Sequence, residues 1–196
     1  MQSIPEILRT RRSVSQPFID PDRPVPVASV HAAIESARWA PNHRRTEPWR
    51  FYLLGEDRVA RLADIHSDLL SRKGSKPEVV EAKRRDWLNA SMVMILTGTS
   101  PADSDEVRLR EDYAATAAAA QNFMIHLWSE GIGSKWSTAS VWDHEGFWPL
   151  LGHDAAPEGT TVTGIFFLGY AKQTPKAFRN LEPGDITVDL TGTGTQ

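Results

Sequence analysis

Apolar residues recur along this chain with two different periods, and the switches between them fall at prolines and glycines. Val27, Val30, Ala33, Ile34 and Ala37 repeat at three- and four-residue spacing, which predicts a helix with one buried face that Pro41 stops. Val59, Leu62, Ile65 and Leu69 repeat in the same way and predict a helix over Glu56–Ser71, followed by a strongly charged one over Pro77–Leu88. At the start of the chain, Ser3 and Glu6 read as a capping box with Pro5 tolerated in the first turn. A short helix is expected there, turning Ile7 and Leu8 inward and ending near Arg11 or Arg12. Short apolar runs predict strands at Trp49–Leu54, Met92–Thr97, Ser134–Thr138 and Thr160–Tyr170, the last centred on Ile165, Phe166, Phe167 and Leu168. Residues Asp143–Leu150 read as one more short helix, and Gln16–Pro26, with its prolines and aspartates, as an extended connector.

Two segments break the simple pattern. Asp105–Glu130 reads as one long helix whose middle, Tyr113 to Leu127, is apolar or small almost all round, so it is expected to be covered on every side by a central position or by a partner subunit. Its Ala114–Ala120 cluster permits close helix approach. Near the C-terminus, Ile186, Val188 and Leu190 alternate strictly and predict a terminal strand added to a sheet edge, that of a second subunit included. Helices and strands interleave without a regular beta-alpha-beta rhythm, and two helices precede the first strand, so the fold class is α+β. No linker or repeat divides residues 1–196, which are read as a single domain. Gly131-Ile132-Gly133 lacks a third glycine and follows a helix instead of a strand, which excludes a dinucleotide-binding fingerprint.

Charge and composition narrow the chemistry. The 22 basic and 25 acidic residues leave a formal charge of -3, with no general field for nucleic acid or an anionic membrane. Any phosphate must be met by a local arginine cluster. The absence of cysteine removes disulfides, thiolate metal sites and thiol nucleophiles. No secretory leader or membrane-spanning run is apparent, so a cytoplasmic protein is expected. The six histidines have no paired ligand spacing, and no metal is expected.

Three segments carry candidate chemistry. Arg11-Arg12-Ser13 offers two guanidinium forks and a hydroxyl where a helix gives way to extended chain, a geometry that grips a phosphate; basic residues in a last turn also serve simply to balance the helix dipole. Ala40-Pro41-Asn42-His43-Arg44-Arg45-Thr46-Glu47-Pro48-Trp49 places cationic and aromatic side chains in a loop between a helix and a strand, which marks a ligand-facing loop, with Trp49 itself read as core. Gly131-Ile132-Gly133-Ser134-Lys135-Trp136-Ser137-Thr138 combines close backbone approach with extended residues that aim amide hydrogens at a ligand, or forms only a helix cap and a strand. Together and in this order, these segments resemble the nitroreductase family of flavin-dependent oxidoreductases, in particular a branch of small members with an Ala-Pro-Asn-His…Glu-Pro-Trp loop. The resemblance spans nearly the whole chain.

That resemblance implies a three-layer sandwich with a mostly antiparallel central sheet and a C-terminal strand exchanged in a homodimer. It implies FMN as cofactor, NADH or NADPH as electron donor, and ping-pong reduction of nitroaromatic, quinone or similar electron-poor acceptors. It assigns Arg11, Arg12 and Ser13 to the flavin phosphate and ribityl chain, with Arg179 closing from the C-terminal segment and Lys176 second to it. Pro41, Asn42 and His43 would reach across to the other subunit's flavin, and Trp136, Ser137 and Thr138 would lie against its ring. No side chain is assigned a catalytic role of its own, since the flavin carries the chemistry. Many members carry a further basic residue where this chain has Ser15. Lys83, Arg84 and Arg85 are read as a solvated helix face before a flavin contact. The alternatives are a flavin-binding module without turnover and another flavin reaction of the same superfamily, such as dehalogenation or dehydrogenation.

Overall fold

Strands β1 (Trp49–Leu54), β2 (Met92–Thr99), β3 (Gly133–Ser137) and β4 (Thr160–Gly169) build one sheet in the computed structural model, which describes residues 3–191. The order is β1-β2-β4-β3, and every neighbouring pair is antiparallel. The central strands read as continuous apolar runs because both of their faces are covered. Met94, Leu96, Phe166 and Leu168 face one layer, and Val93, Ile95, Ile165 and Phe167 face the other.

Helices supply the two outer layers: α1 (Ile4–Thr10), α2 (Val27–Ala37), α3 (Glu56–Arg72), α4 (Pro77–Leu88), α5 (Glu106–Ser129) and α6 (Phe147–Leu150). Helices α2 and α5 cover the first face through Val30, Ala33, Ala37, Ala119, Ala120, Phe123 and Leu127. Helices α3, α4 and α6 cover the second through Val59, Leu62, Trp87, Phe147 and Leu150. The α+β class expected from the pattern, and the three-layer sandwich that the resemblance implies, are therefore what the chain forms. No helix among the described residues is long and apolar enough to cross a membrane.

Two local expectations change, and two others, which allowed for a partner subunit, are not met within the described chain. The capping box of α1 forms, with Ser3 N donating to Glu6 Oε2 at 2.7 Å. Yet only Ile7 turns inward, while Leu8 is 44% exposed, because a seven-residue helix presents a narrow stripe and the next residue is rotated off it. The Asp143–Leu150 helix is instead a 3-10 turn at Ser140–Asp143 followed by the single turn of α6. Helix α5 is not covered all round: Ala115, Thr116, Ala119, Ala120, Phe123, Met124 and Leu127 are buried, whereas Tyr113 is 50% exposed and Ala114 is exposed. The alternating tail forms no strand among the described residues. Ile186, Val188 and Leu190 stand exposed, and the outer edge of β1 pairs with nothing among the described residues.

Candidate functional site

The Arg11-Arg12-Ser13 segment is laid against the edge of β3 by one glycine. Val14 N donates to Ser134 O at 3.1 Å, and Ser13 bridges Ser134 in parallel. Val14 is fully buried over Gly133, where a Cβ would stand 2.5 Å from Val14 Cγ2 and 3.1 Å from Gly169 O. Any side chain at 133 would push the segment off the sheet. Helix α5 ends just before this point because Gly131 takes φ 78°, with its amide and that of Ile132 closing on Trp128 O and Leu127 O.

The guanidinium groups gathered here lack counter-charges. Arg11, the C-cap of α1, is half-buried, and burial, then repulsion from Arg179 and from Arg12, lowers its pKa from the ordinary value. Arginine stays a cation in proteins, so the depression reflects first its burial and then the neighbouring positive charges. Arg11 Nη1 is buried with no hydrogen-bond partner. Arg12 folds back, its Nη1 donating to Arg9 O at 2.7 Å and Arg11 O at 2.9 Å, and its buried Nε is unpartnered. None of Arg11, Arg12 or Arg179 pairs with a carboxylate among the described residues. A groove of about 350 Å³ between α1 and the C-terminal segment is lined by Arg9, Arg12, Phe178 and Arg179. Buried, unpartnered cations of this kind suit an anion that accepts several hydrogen bonds at once, as a phosphate does. Ser13 and Lys176 are exposed beside this cluster in sequence.

Along β3 the side chains and the backbone serve different layers. The Trp136 ring lies 5.2 Å from that of Phe166, and its Nε1 donates to Thr163 O at 3.0 Å. Gly164 leaves the room for it, since a Cβ there would collide with the indole. The indole is thus committed to the α2–α5 layer. Ser134 O points away from β4 to meet Val14, so by the alternation of an antiparallel ladder the Trp136 backbone also points outward from the sheet edge. That backbone, with half-buried Ser137 and exposed Thr138, is what a planar ligand would meet.

The Pro41–His43 loop is anchored elsewhere, by the first turns of α5. Asp112, only 3% exposed, accepts from Thr46 Oγ1 at 2.6 Å and from Ser100 Oγ at 2.8 Å, with Arg108 Nε 3.8 Å away. Thr46 Oγ1 in turn accepts from Asn42 Nδ2 at 2.9 Å, and Asn42 Oδ1 receives Glu47 N at 2.7 Å. His43 Nδ1 lies 2.8 Å from Glu111 Oε2, and Pro41 is exposed. This network holds Arg44, Arg45 and Glu47 at φ 59°, 52° and 44°, a left-handed region unfavourable to residues with a Cβ. Asp112 was invisible as a site residue in the sequence. The only signal is an acid directly before the apolar Tyr113–Leu127 stretch.

The two sets of candidates do not meet within one chain. The loop sits at Asp112 near the start of α5, while Arg11 and Ser13 sit beside Trp128, whose Nε1 donates to Thr10 Oγ1 at 3.2 Å near the helix end. Sixteen residues of helix separate those anchors, about 24 Å at 1.5 Å per residue.

Two other polar clusters are accounted for by their own partners. Asp68, His144 and Glu145 converge closely enough to hold a metal, but Arg72 already occupies their centre, its Nε 2.7 Å from Asp68 and its Nη2 2.7 Å from Glu145. Hydrogen bonding from Arg72, then from its own backbone amide, lowers the Glu145 carboxyl to about 2. On α4, Arg84 pairs with Asp64 at 2.7 Å and Lys83 with Asp86 at 3.5 Å, the behaviour of a solvated face.

Comparison with known proteins agrees on the fold and the lineage. The family model of the Nitroreductase family matches residues 8–170. YfhC of Bacillus subtilis (strain 168), named as an NAD(P)H nitroreductase, is 34% identical over 139 residues, which is 69% of each chain. A nitroreductase-like family protein from Bacillus cereus superposes with a TM-score of 0.78 at 23% identity, covering 98% of both chains. A nitroreductase with bound FMN from Bacteroides fragilis NCTC 9343 gives 0.68 at 20% identity, covering 96% of this chain and 100% of its own. At these identities the two solved structures speak to the fold alone.

Proposed function

Because the chain belongs to the nitroreductase family, we propose that it is an FMN-dependent NAD(P)H oxidoreductase, a homodimer that reduces nitroaromatic, quinone or similar electron-poor acceptors. The observation that carries this reading is the half-buried Arg11 guanidinium beside Arg12 and Arg179, whose Nη1 is buried without a hydrogen-bond partner among the described residues. It fits a mononucleotide phosphate. The name of the Bacillus subtilis relative supports NAD(P)H as donor, and the FMN bound to the Bacteroides fragilis protein supports the cofactor.

Bound FMN supplies the two-electron chemistry, taking hydride from NAD(P)H and passing it to the acceptor. In this reading Arg11, Arg12 and Arg179 hold the phosphate, and Ser13 offers its hydroxyl beside them. The outward backbone at Trp136, with Ser137 and Thr138, orients the ring. Pro41, Asn42 and His43 complete the site of a second copy, a reading supported by the roughly 24 Å between their anchor and that of Arg11. Exposed Tyr113 and Trp39 and the unpaired tail are the surfaces that dimer would cover, with Ile186, Val188 and Leu190 pairing as a strand on the partner's open β1 edge. NAD(P)+ leaves before the acceptor enters the same pocket, so the chain needs no nucleophile of its own, and residues 1–196 act as one domain.

The visible spectrum of the purified protein, before and after anaerobic NADH or NADPH, tests the reading. A yellow protein with releasable FMN that bleaches with either donor is expected. Arg11→Ala removes charge-assisted bonds of about 1.5–3 kcal/mol each, weakening FMN by about 100-fold at roughly 1.4 kcal/mol per tenfold. A protein that stays colourless after incubation with FMN overturns the proposal.

A further inference from the structure

Lys135 is a cation near this site that neither the family resemblance nor the phosphate reading uses. It projects from β3 opposite Phe167, on the α3–α4 side of the sheet, and is half-buried. Its ammonium donates to Ser15 Oγ at 3.3 Å across 120 residues of sequence. No carboxylate pairs with it among the described residues. A half-buried ammonium whose hydrogen-bond partner is a neutral hydroxyl keeps donors to offer a negative charge that comes within reach.

Charge balance indicates which negative charge that is. Arg11, Arg12 and Arg179 already bring three positive charges to a phosphate that carries at most two negative ones, so a fourth cation adds little there. Lys135 lies past the phosphate segment, reached through Ser15 beyond Arg11-Arg12-Ser13, and adjoins Trp136 and Ser137, the residues read as facing the ring. Uptake of two electrons and one proton as hydride from NAD(P)H leaves one net negative charge on a previously neutral ring, while NAD(P)+ departs. A compact ammonium on a flexible stem suits such a charge, which appears and disappears with each turnover.

Resting on the FMN reading above, we infer that Lys135 contacts the flavin and binds its reduced form more tightly than its oxidised form. It is a tuning residue for the cofactor, separate from the arginines that retain it.

The test is the midpoint potential of bound FMN, with dissociation constants for both redox states, in the parent holoprotein, in Lys135→Met and Lys135→Gln, and in Lys135→Arg. Two uncharged variants are used so that misfolding of one, checked by circular dichroism, leaves the other. Each uncharged variant is expected to lose about tenfold more affinity for reduced than for oxidised FMN, which for a two-electron couple moves the potential about 30 mV more negative. Lys135→Arg should recover most of that shift. An unmoved potential sinks the inference, whether affinity is unchanged, which makes Lys135 a structural lysine, or falls equally for both states, which makes it a phosphate contact. A parent protein that binds no FMN removes the functional reading itself, an outcome visible before any variant is compared.

Discussion

Replacing Asp112 with alanine withdraws the carboxylate on which the Asn42–Pro48 loop is built. Thr46 and Ser100 hydroxyls donate to it at 2.6 and 2.8 Å, and hydrogen bonds to a charged group contribute about 1.5–3 kcal/mol each, so the anchor amounts to about 3–6 kcal/mol. Opposing it, Arg44, Arg45 and Glu47 sit in the left-handed region at about 1–2 kcal/mol each, together about 3–6 kcal/mol. Anchor and strain are of the same size. Loss of the anchor therefore releases the loop from its strained conformation, and the recovered strain offsets much of the lost bonding. What remains is the cost of leaving the buried Ser100 hydroxyl without its acceptor and Arg108 without its nearby charge, about 1–3 kcal/mol. Urea denaturation of Asp112→Ala should show that modest loss. Hydrogen exchange should show a much larger one confined to residues 42–48, and FMN should bind at least tenfold more weakly because Asn42 and His43 are no longer held. Asp112→Asn keeps one acceptor oxygen and should fall between the two. If exchange across 42–48 is unchanged in Asp112→Ala and FMN affinity stays within about twofold, the claim that this carboxylate holds the loop is wrong.

Three other perturbations probe separate parts of the structure. Val188→Asp, or removal of the chain after Pro183, should convert a dimer to a monomer in light scattering and release FMN with it, since Ile186, Val188 and Leu190 are left exposed by the described residues of their own chain; a dimer that persists unchanged rejects strand exchange. Gly133→Ala should lower stability by about 1–3 kcal/mol and loosen Arg11-Arg12-Ser13 from β3, read as a lower melting temperature together with weaker FMN binding; a fully stable variant with parental affinity contradicts the close-approach argument. Burial, then the charges of Lys83 on α4 and Lys73 after α3, lowers the pKa of His66, which stacks on Trp87 at 4.1 Å. Its contribution to stability is present above the unfolded value of about 6.5 and lost as pH falls below it, so urea midpoints should drop between pH about 7.5 and about 5.5, and less so in His66→Phe.

Local pattern carried most of the architecture and only part of the site. Element type and order were readable because each rests on short-range periodicity: the spacing of Val59, Leu62, Ile65 and Leu69, or the run from Ile165 to Leu168, depends on neighbours a turn or a residue away. The Arg11-Arg12-Ser13 segment was readable for the same reason, as a helix exit. Asp112 and Lys135 were not, because what makes them consequential is contact with Thr46, 66 residues away, and with Ser15, 120 residues away. Leu8 failed through the narrowness of a seven-residue helix. The tail differs in kind: its alternation is genuine strand pattern, but a strand is defined by its neighbour, and one chain supplies none.

The unmet requirements of this chain lie outside its two cores, and they are complementary. Both faces of the sheet are closed by fully buried Leu, Ile and Phe side chains, where local propensity and long-range packing agree. The exceptions are arginines without acids, a half-buried lysine on a hydroxyl, a loop in the left-handed region, an open sheet edge and an apolar tail in water. A polyanionic planar ligand answers the first two, and a second copy answers the last two. The loop links these answers, since its anchor lies about 24 Å along α5 from the arginines and, in the proposed dimer, it would reach such a ligand from the other subunit. Cofactor retention and dimerisation are therefore expected to be thermodynamically coupled: FMN should tighten the dimer by the factor by which dimerisation tightens FMN. Sedimentation at several protein concentrations, with and without FMN, measures one arm, and FMN titration across the same concentrations measures the other. Unequal factors would mean that the site and the interface are separate features of the fold.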